Sequence, residues 1–588
     1  MDYKETLQKA KEYILLEKDS YFKNEVEELI NKKNYDELSD RFYTELEFGT
    51  GGIRGVIGGG YNRLNSYIIQ KTTQGLANYI LKENKSETAS CVIAYDSRRF
   101  SNVFAEAAAT VLCANGIKTY LYSSLRSTPQ LSFTVRQLNA TAGIVITASH
   151  NPPEYNGYKV YWRDGGQIIS PHDKLIVAEV RAVKGDSIKM ITKQEAIKRG
   201  LLIYIDKEID DAFISMVKNC ALRPQLLKEF GKKIKIIYTP LHGTGALPIE
   251  KVFSDLGINI IFVEEQKMPD GNFPTVKYPN PEEAEAMELA INLAKKENAH
   301  LVLATDPDAD RLGIAVSENG QYKLLTGNQL GVLLLDYILS TRKEQNTLPP
   351  NGVYIKSIVT TELGRLLAKD YGVECIDVLT GFKYIAEQMN KLDSQNNISR
   401  FIFGTEESYG FLVNTKVRDK DAVSAALLCA EMAIYYMSKG FTLIKRLNKI
   451  YEKYGYFEEI QISKYFKGEK GLATMNNLME KLRCSPPKTI GGIKVSLVKD
   501  YLYGVTTNLD LSEKKKDINL PSSNVLQFIC EDGTIITARP SGTEPKIKFY
   551  ASCRSGIQKE LSLAKNMVLE KINAIKEQIK FFVENGVT

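Results

Sequence analysis

Histidine is nearly absent from the 588-residue chain: only four occur, which leaves little room for a histidine-built zinc site. The eight cysteines (Cys91, Cys113, Cys220, Cys375, Cys429, Cys484, Cys530 and Cys553) are scattered, with no Cys-x-x-Cys pair. They read as reduced, structural thiols of a cytoplasmic protein. Long apolar runs are missing too. The strongest, GVLLLDYILS from Gly331, is interrupted by Asp336 and falls well short of the ~18 residues a membrane span needs, so it reads as a buried helix. The N-terminal MDYKETLQKAKEYILLEKD has no apolar centre, and no signal peptide is expected. Charge of one sign is also scarce: 77 Lys and Arg face 71 Asp and Glu, a net +6. Over this length that excess is too weak to imply nucleic acid or a membrane surface as partner.

What is present is ordinary globular composition, 43% hydrophobic and 25% charged. At roughly 150 residues per domain the length implies about four domains, because single cores stop growing beyond about 250–300 residues. Short β-branched runs alternate with helical patterns. CVIAYDS (91–97), KTYLYS (118–123) and GIVITAS (143–149) read as strands, with a helix over 104–116. The cycle restarts at KIKIIYTP (233–240), passes a helix from Pro281 to about Asn298, and reaches HLVLATD (300–306). It restarts again at GVYIKSIVTT (352–361) and ends in RFIFGTE (400–406). Apolar strands between amphipathic helices predict βαβ units with parallel sheets buried on both faces. After residue 452 the strands shorten and a long helix begins near Gln558. The fold class is therefore α/β: three similar mixed α/β domains in series plus a C-terminal α+β domain. Boundaries fall at 1–215, 216–328, 329–452 and 453–588, and the lysine-rich 513–517 reads as a solvated loop.

Ligands of α/β sheets bind beyond the carboxyl ends of strands, so the segments there carry the chemistry. GIVITAS is followed by HNPPEYNGYKVYW, which sets the Ser149 hydroxyl on a proline-stiffened turn with His150, Asn151 and Lys159 nearby. HLVLAT is followed by DPDADR, where Asp306, Asp308 and Asp310 present alternating carboxylates that repel unless a cation neutralises them. Such an oxygen set suits Mg²⁺. An EF-hand fails, because its glycine and acid positions are Arg311 and Ser317. An aspartyl-nucleophile phosphatase would want Thr or Val where Asp310 stands, which weakens that alternative without removing it. RFIF leads to GTEESYG, where Glu406 and Ser408 suit sugar hydroxyls and Glu407 reads as structural. TIITA leads to RPSGTEPKIKFY, a phosphate cradle of Arg539, Ser541, Gly542, Thr543, Lys546 and Lys548. The glycine-rich FGTGGIRGVIGGG (48–60) brings backbone close to something around Arg54.

Taken in order, TASHNPPEYNGYK, ATDPDADR, GTEESYG and RPSGTEPK resemble the four signature loops of the α-D-phosphohexomutase superfamily. FGTGGIRG, YTPLHGTG (238–245), PDGNFPTVKYPNPEE (269–283) and TGFK (380–383) resemble its long phosphoglucomutase and phosphopentomutase branch, so the likeness spans nearly the whole chain. The resemblance implies four domains in a heart shape, each giving one loop to a central cleft. It implies that Ser149 is the phosphoserine and that Asp306, Asp308 and Asp310, with that phosphoserine, hold Mg²⁺. Glu406 and Ser408 match the sugar loop, and Arg539, Ser541, Gly542 and Thr543 the loop for the non-reacting phosphate. Arg54, His150, Lys159, Arg311 and Lys383 match basic residues around the transfer site, Lys383 being the expected general acid/base. Two departures bear on substrate preference. Tyr409 follows Glu-Glu-Ser where the phosphomannomutase-type branch has Gly-His, and Thr405 stands where the long branch often has a bulkier residue.

The expected activity is interconversion of glucose 1-phosphate and glucose 6-phosphate through a glucose 1,6-bisphosphate that also serves as activator. Phosphopentomutase, phosphomannomutase or glucose-1,6-bisphosphate synthase activity are alternatives within the family, and a metal-dependent sugar phosphatase is the alternative from another class. The expected partner is a phosphosugar, with neither nucleic acid nor membrane. The expected assembly is a monomer or a dimer.

Overall fold

The computed structural model describes residues 3–49, 51–84, 88–466, 471–541 and 546–585. Four β-sheets follow one another along the chain. The first runs Gly52–Val56, Tyr155–Trp162, Ala142–Ile146, Ser90–Tyr95, Lys118–Tyr122, Leu202–Ile205 from edge to edge. The second centres on parallel Ile236–Thr239 and Leu301–Thr305, the third on parallel Val353–Ser357 and Phe401–Glu406. The fourth is antiparallel, from Phe457–Tyr465 beside Lys546–Arg554 to the short outer strands, and packs on the helix Leu561–Asn585. Three mixed α/β units and a C-terminal α+β unit are therefore present.

The parallel-sheet expectation needs correction. Each α/β sheet also carries antiparallel strands, and these follow directly on the chemistry-bearing loops. Ala142–Ile146 returns as Tyr155–Trp162, Leu301–Thr305 as Leu312–Glu318, and Phe401–Glu406 as Gly410–Leu412. In the fourth sheet Ile535–Pro540 likewise returns as Lys546–Arg554. The first three signature loops are thus turns of β-hairpins, and the fourth joins two strands that pair antiparallel, so each is gripped on both sides by ladder hydrogen bonds. Hydrophobic periodicity reports that a strand exists and is silent on its direction.

Smaller differences have local causes. The helix expected from Pro281 begins at Glu288, after a 3₁₀ turn over Glu285–Met287. The C-terminal helix starts at Leu561. Within 513–517, Glu513–Lys515 forms an exposed edge strand against Val505–Asn508. Lysines suit such an edge because they discourage further pairing.

The helix Gly327–Glu344 contains the apolar run from Gly331 and opens with a capping box of Thr326 and Gln329. Its buried Asp336 is neutralised by Arg446, at 2.6 and 2.8 Å, with Tyr436 donating at 3.1 Å. Nothing on the almost wholly buried helix Ala422–Ser438 separates a polar face from an apolar one; it packs against Pro224–Phe230, Ala246–Asp255 and Leu301–Thr305. At its head, fully buried Arg418 joins the first and third units. It donates to Asp393 at 2.6 Å and Asn390 at 2.7 Å, and its N–H donates to Ser132 at 2.8 Å.

Candidate active site

Ser149 ends the strand Ala142–Ile146 and its turn with φ at 53°, a left-handed conformation that a non-glycine residue holds only when its surroundings enforce it. Its N–H donates to Thr147 Oγ1 at 2.8 Å, and Arg98 Nη2 donates to its carbonyl at 2.7 Å. The same guanidinium reaches Asn151 O, Pro152 O at 2.7 Å and Tyr155 O at 2.9 Å, so one buried cation ties down the entire turn. Burial draws the Arg98 pKa down to about 10, leaving it a cation. Asp96 lies 3.5 Å from it and the Phe273 ring 5.0 Å beneath it, which gives the PDGNFPTV segment its role here.

The Ser149 hydroxyl donates to Asp306 Oδ2 at 2.6 Å and lies 3.1 Å from His150 Nδ1. Burial, with Arg311 and Arg54 close by, pushes the His150 imidazole well below its usual pKa, so it stays neutral. The DPDADR segment curls: Ala309 adopts φ 52°, and Asp306 Oδ1 accepts the N–H groups of Asp310 and Arg311, each at 3.1 Å. Carboxylate oxygens of Asp306, Asp308 and Asp310 consequently lie within 4.8 Å of one another, all buried. Burial and two neighbouring carboxylates push Asp306 well above the ordinary carboxylate range. Asp308 is instead held below it, where Lys159 at 2.8 Å outweighs burial; Thr128 Oγ1 also donates to it at 2.8 Å.

Asp308 Oδ1 and Asp310 Oδ1 are buried without a hydrogen-bond donor. Two orphaned carboxylate oxygens within one three-carboxylate cluster are the acceptors a hard divalent cation satisfies, so the residues fit Mg²⁺. Lys159 and Lys420 supply the remaining positive charge, at 3.5 and 3.1 Å from Asp310 Oδ2. Burial would depress both ammonium groups, yet the carboxylates outweigh it and hold their pKa values above normal.

Arg54 lies opposite Gly157 and Lys159 opposite Gly52 in one antiparallel ladder, which places both cations on one face of the sheet. A Cβ at Gly52 would come within 1.9 Å of Tyr158 O, and one at Gly157 within 2.5 Å of Thr147 O. Those glycines let the Arg54 strand approach the serine turn, where Arg54 donates to Asn151 at 2.9 Å. Arg311 pairs with Glu282 at 2.6 Å and bridges in β fashion to Gly410, joining the carboxylate loop to the GTEESYG hairpin. Glu406 accepts the Gly381 N–H at 2.6 Å, beside Lys383 at the head of the helix Phe382–Ser394. Burial lowers the Lys383 pKa. Ser408 is half-buried in the hairpin turn, and Glu407 accepts from Ser357 at 2.9 Å. Tyr409 takes φ 62° and its carbonyl accepts the Leu312 N–H at 3.1 Å, so its backbone braces the Arg311 loop.

On the fourth sheet Arg539 and Lys548 face each other across adjacent strands, and the Ser541 N–H donates to Lys546 O at 2.7 Å. Burial first, then Lys546 and Arg539, lowers the Lys548 pKa, a juxtaposition of like charges that an anion relieves. Fields from Glu407 and Glu282 reach Lys548, and that of Arg539 reaches Tyr384. Gly542 and Thr543 lie outside the described residues. The structure thus gathers Ser149, His150, Lys159, Arg54, Arg311 and the three aspartates, with Glu406 and Lys383 forming a neighbouring pair.

Four contributors escaped the sequence reading: Arg98, Thr128, Glu282 and Lys420. Arg98 follows the strand Ser90–Tyr95, so the strand-end rule applied to every strand would have flagged DSRR. Lys420, in RDKD between a short strand and the buried helix, carries a similar signal. Glu282 lies in PDGNFPTVKYPNPEE (269–283), which carries the family likeness but assigns it no role, and Thr128 has no signal.

A hydroxyl on a strained turn, a three-carboxylate cation site against it and cationic loops from other units define an enzyme of phosphoryl transfer. Comparison with known proteins narrows the class. Family models described as phosphoglucomutase/phosphomannomutase, alpha/beta/alpha domains I, II and III match residues 45–186, 211–320 and 326–454. A phosphoglucomutase of Staphylococcus haemolyticus (strain JCSC1435) is 40% identical over 516 residues, 87% of this chain and 91% of that protein. One from Staphylococcus aureus (strain MRSA252) is 38% identical over 550 residues, 92% and 96% of the two chains. Among solved structures, the open form of the Paramecium phosphoglucomutase pp63/parafusin shares the fold with TM-score 0.66 at 18% identity, over 91% of this chain and 95% of that one. A phosphoglucomutase/phosphomannomutase family protein of Burkholderia thailandensis gives 0.64 at 17%, over 93% and 99%. The chain belongs to the phosphoglucomutase/phosphomannomutase family, and it is an enzyme of the phosphohexomutase type.

Proposed function

We propose that this enzyme interconverts glucose 1-phosphate and glucose 6-phosphate through phosphorylated Ser149 and a glucose 1,6-bisphosphate intermediate. The observation that carries the reading is the Ser149 hydroxyl, fixed 2.6 Å from Asp306 at the edge of the carboxylate site. Asp306, Asp308, Asp310 and the phosphorylated serine would hold Mg²⁺, which when bound neutralises charge on the transferring phosphoryl group. In the first half-reaction the Ser149 Oγ–P bond breaks as the free sugar hydroxyl bonds to phosphorus. The hydroxyl proton passes to Lys383, whose lowered pKa favours the neutral amine needed to accept it. The bisphosphate turns over in the site. The unprotonated Ser149 Oγ left by that step then takes the other phosphoryl group, and the proton held on Lys383 passes to the departing sugar oxygen.

Arg54, His150, Lys159 and Arg311 surround the transferring group, with Lys420 balancing Asp310. Glu406 and Ser408 hold sugar hydroxyls. Arg539 and Ser541, with Gly542 and Thr543, hold the phosphate that is not reacting, so remote binding orients the reacting end. Each of the four units, divided near 215, 328 and 452, gives one loop, and closure of the C-terminal unit would exclude the water that hydrolyses a phosphoserine. Free cysteines throughout accord with a cytoplasmic setting, and no helix among the described residues is long and apolar enough to cross a membrane.

One assay tests this reading. Glucose 1-phosphate, mannose 1-phosphate and ribose 1-phosphate are each supplied with Mg²⁺ and trace glucose 1,6-bisphosphate. Glucose 6-phosphate should form fastest. Faster ribose 5-phosphate would reassign the enzyme as a phosphopentomutase, and release of free phosphate without isomer would make it a sugar phosphatase.

A further inference from the structure

Away from the catalytic loops lies a cavity of about 580 Å³, between the first unit, the connecting helix Lys207–Lys218 and the third unit. None of its lining residues belongs to the catalytic machinery. Phe133, Met216, Ile338 and Leu428 give it apolar walls, and Arg342 and Lys416 give it positive charge. The Arg342 guanidinium has no hydrogen bond or ion pair to another described residue. Its one electrostatic partner is the Cys220 thiol, which burial keeps neutral. Position in the last turn of Gly327–Glu344 accounts for a cation there, since it complements the helix dipole. That position does not account for a half-buried guanidinium turned into a void; its neighbour Lys343 packs over the Tyr371 ring instead.

We propose that this cavity is a binding site for a small organic anion with an apolar body, a carboxylate or phosphate monoester. The guanidinium receives the anionic group as a planar fork of donors, with Lys416 at the rim, and the apolar walls take the body. The volume lies within the roughly 300–1,000 Å³ of small-molecule sites. Two elements run from the cavity to the catalytic loops. The helix Thr128–Gln137, about 15 Å long, exposes Phe133 and Gln137 to the cavity, and its first residue donates to Asp308. The strand Phe401–Glu406 begins at the cavity wall and ends at the sugar-loop glutamate. An occupant therefore touches the far ends of elements whose near ends hold the carboxylate and sugar loops.

The test is isothermal titration of the full-length protein with 4-phenylbutyrate, phenyl phosphate and the neutral 4-phenylbutan-1-ol, so it does not depend on the assigned activity. Each titration is repeated with saturating glucose 6-phosphate. At least one anion should bind one-to-one in both conditions and at least tenfold more tightly than the alcohol; the tighter anion identifies the group preferred. Arg342→Met should weaken that binding at least tenfold. Ala212→Trp, which fills the cavity while leaving Arg342 in place, should abolish it and keeps the test decisive if the first variant misfolds. Equal binding of the alcohol, displacement by glucose 6-phosphate, unchanged binding in folded variants, or no binding of either anion up to roughly 10 mM would each overturn the proposal.

Discussion

Ser149 donates its hydroxyl hydrogen bond to Asp306 at 2.6 Å, so the serine oxygen and the carboxylate cluster are held in contact before any substrate arrives. The contact joins two hairpin turns from separate sheets, each stiffened by a residue with positive φ, Ser149 itself and Ala309. Preorganisation of this kind suits phosphoryl transfer, where positioning and charge neutralisation carry most of the rate enhancement.

A first consequence concerns the covalent form. Intact-protein mass spectrometry should find a fraction heavier by one phosphoryl group, mapped to Ser149 by peptide fragmentation. Ser149→Ala should remove that fraction and slow turnover roughly a thousandfold or more, as loss of a nucleophile does. A phosphoryl group mapped to another residue would refute the assignment.

Arg98 should matter through the turn rather than through substrate. Its guanidinium serves four carbonyls of residues 149–155, and replacement by alanine strips a donor from each and the counter-charge from buried Asp96. The expected loss is about 3–5 kcal/mol of stability, measured by denaturant titration. Arg98→Lys keeps the charge but cannot span the turn. It should fold with a smaller loss of stability and show a depressed kcat with little change in KM.

The cation site makes its own prediction. Asp308→Asn removes a charge from the cluster while Lys159 and Thr128 remain as neighbours, so the fold should survive and Mg²⁺-dependent turnover should not. EDTA should silence the wild-type enzyme and added Mg²⁺ restore it. Full activity in EDTA would dismiss the metal role.

Much of this site was legible in the sequence because its chemistry sits at strand ends. Ser149, the three aspartates and Glu406 each follow an apolar β-branched run, and that local pattern survives translation into structure. Arg98 carries the same strand-end signal, whereas Thr128 did not show itself because its role exists only in three dimensions: it meets Asp308 across 180 positions. Strand direction was hidden for a different reason. The return strands Tyr155–Trp162 and Leu312–Glu318 mix polar residues and glycine into their pattern (YNGYKVYW, LGIAVSE), so only their continuously apolar neighbours read as strands and the sheets looked uniformly parallel.

Glu406 supplies a pH signature. Burial, with Glu407 beside it, raises its pKa to about 7, against the opposing pull of Lys420 and Arg311. Above that pH the carboxylate accepts sugar hydroxyls; below it the group is protonated and loses acceptor strength. KM for glucose 1-phosphate should therefore rise as pH falls through 7, and Glu406→Gln should remove that rise while raising KM at pH 8. Substrate phosphate titrates alike with both enzymes, so the difference between their profiles isolates Glu406. Coincident profiles would remove Glu406 from sugar binding.

Arg539 tests whether the fourth sheet belongs to the reaction. It stands opposite Lys548, whose pKa is lowered by burial and by the neighbouring cations, and that repulsion is relieved when a phosphate enters. If the loop holds the non-reacting phosphate, its binding energy orients the reacting end, and losing it damages the transition state as well as the ground state. Arg539→Ala should accordingly raise KM and lower kcat together. A rise in KM alone would mean the loop binds ground state and transition state equally. Unchanged kinetics would place it outside the site. Lysine at 539 restores charge without the fork that grips two phosphate oxygens, so Arg539→Lys should recover part of KM and less of kcat.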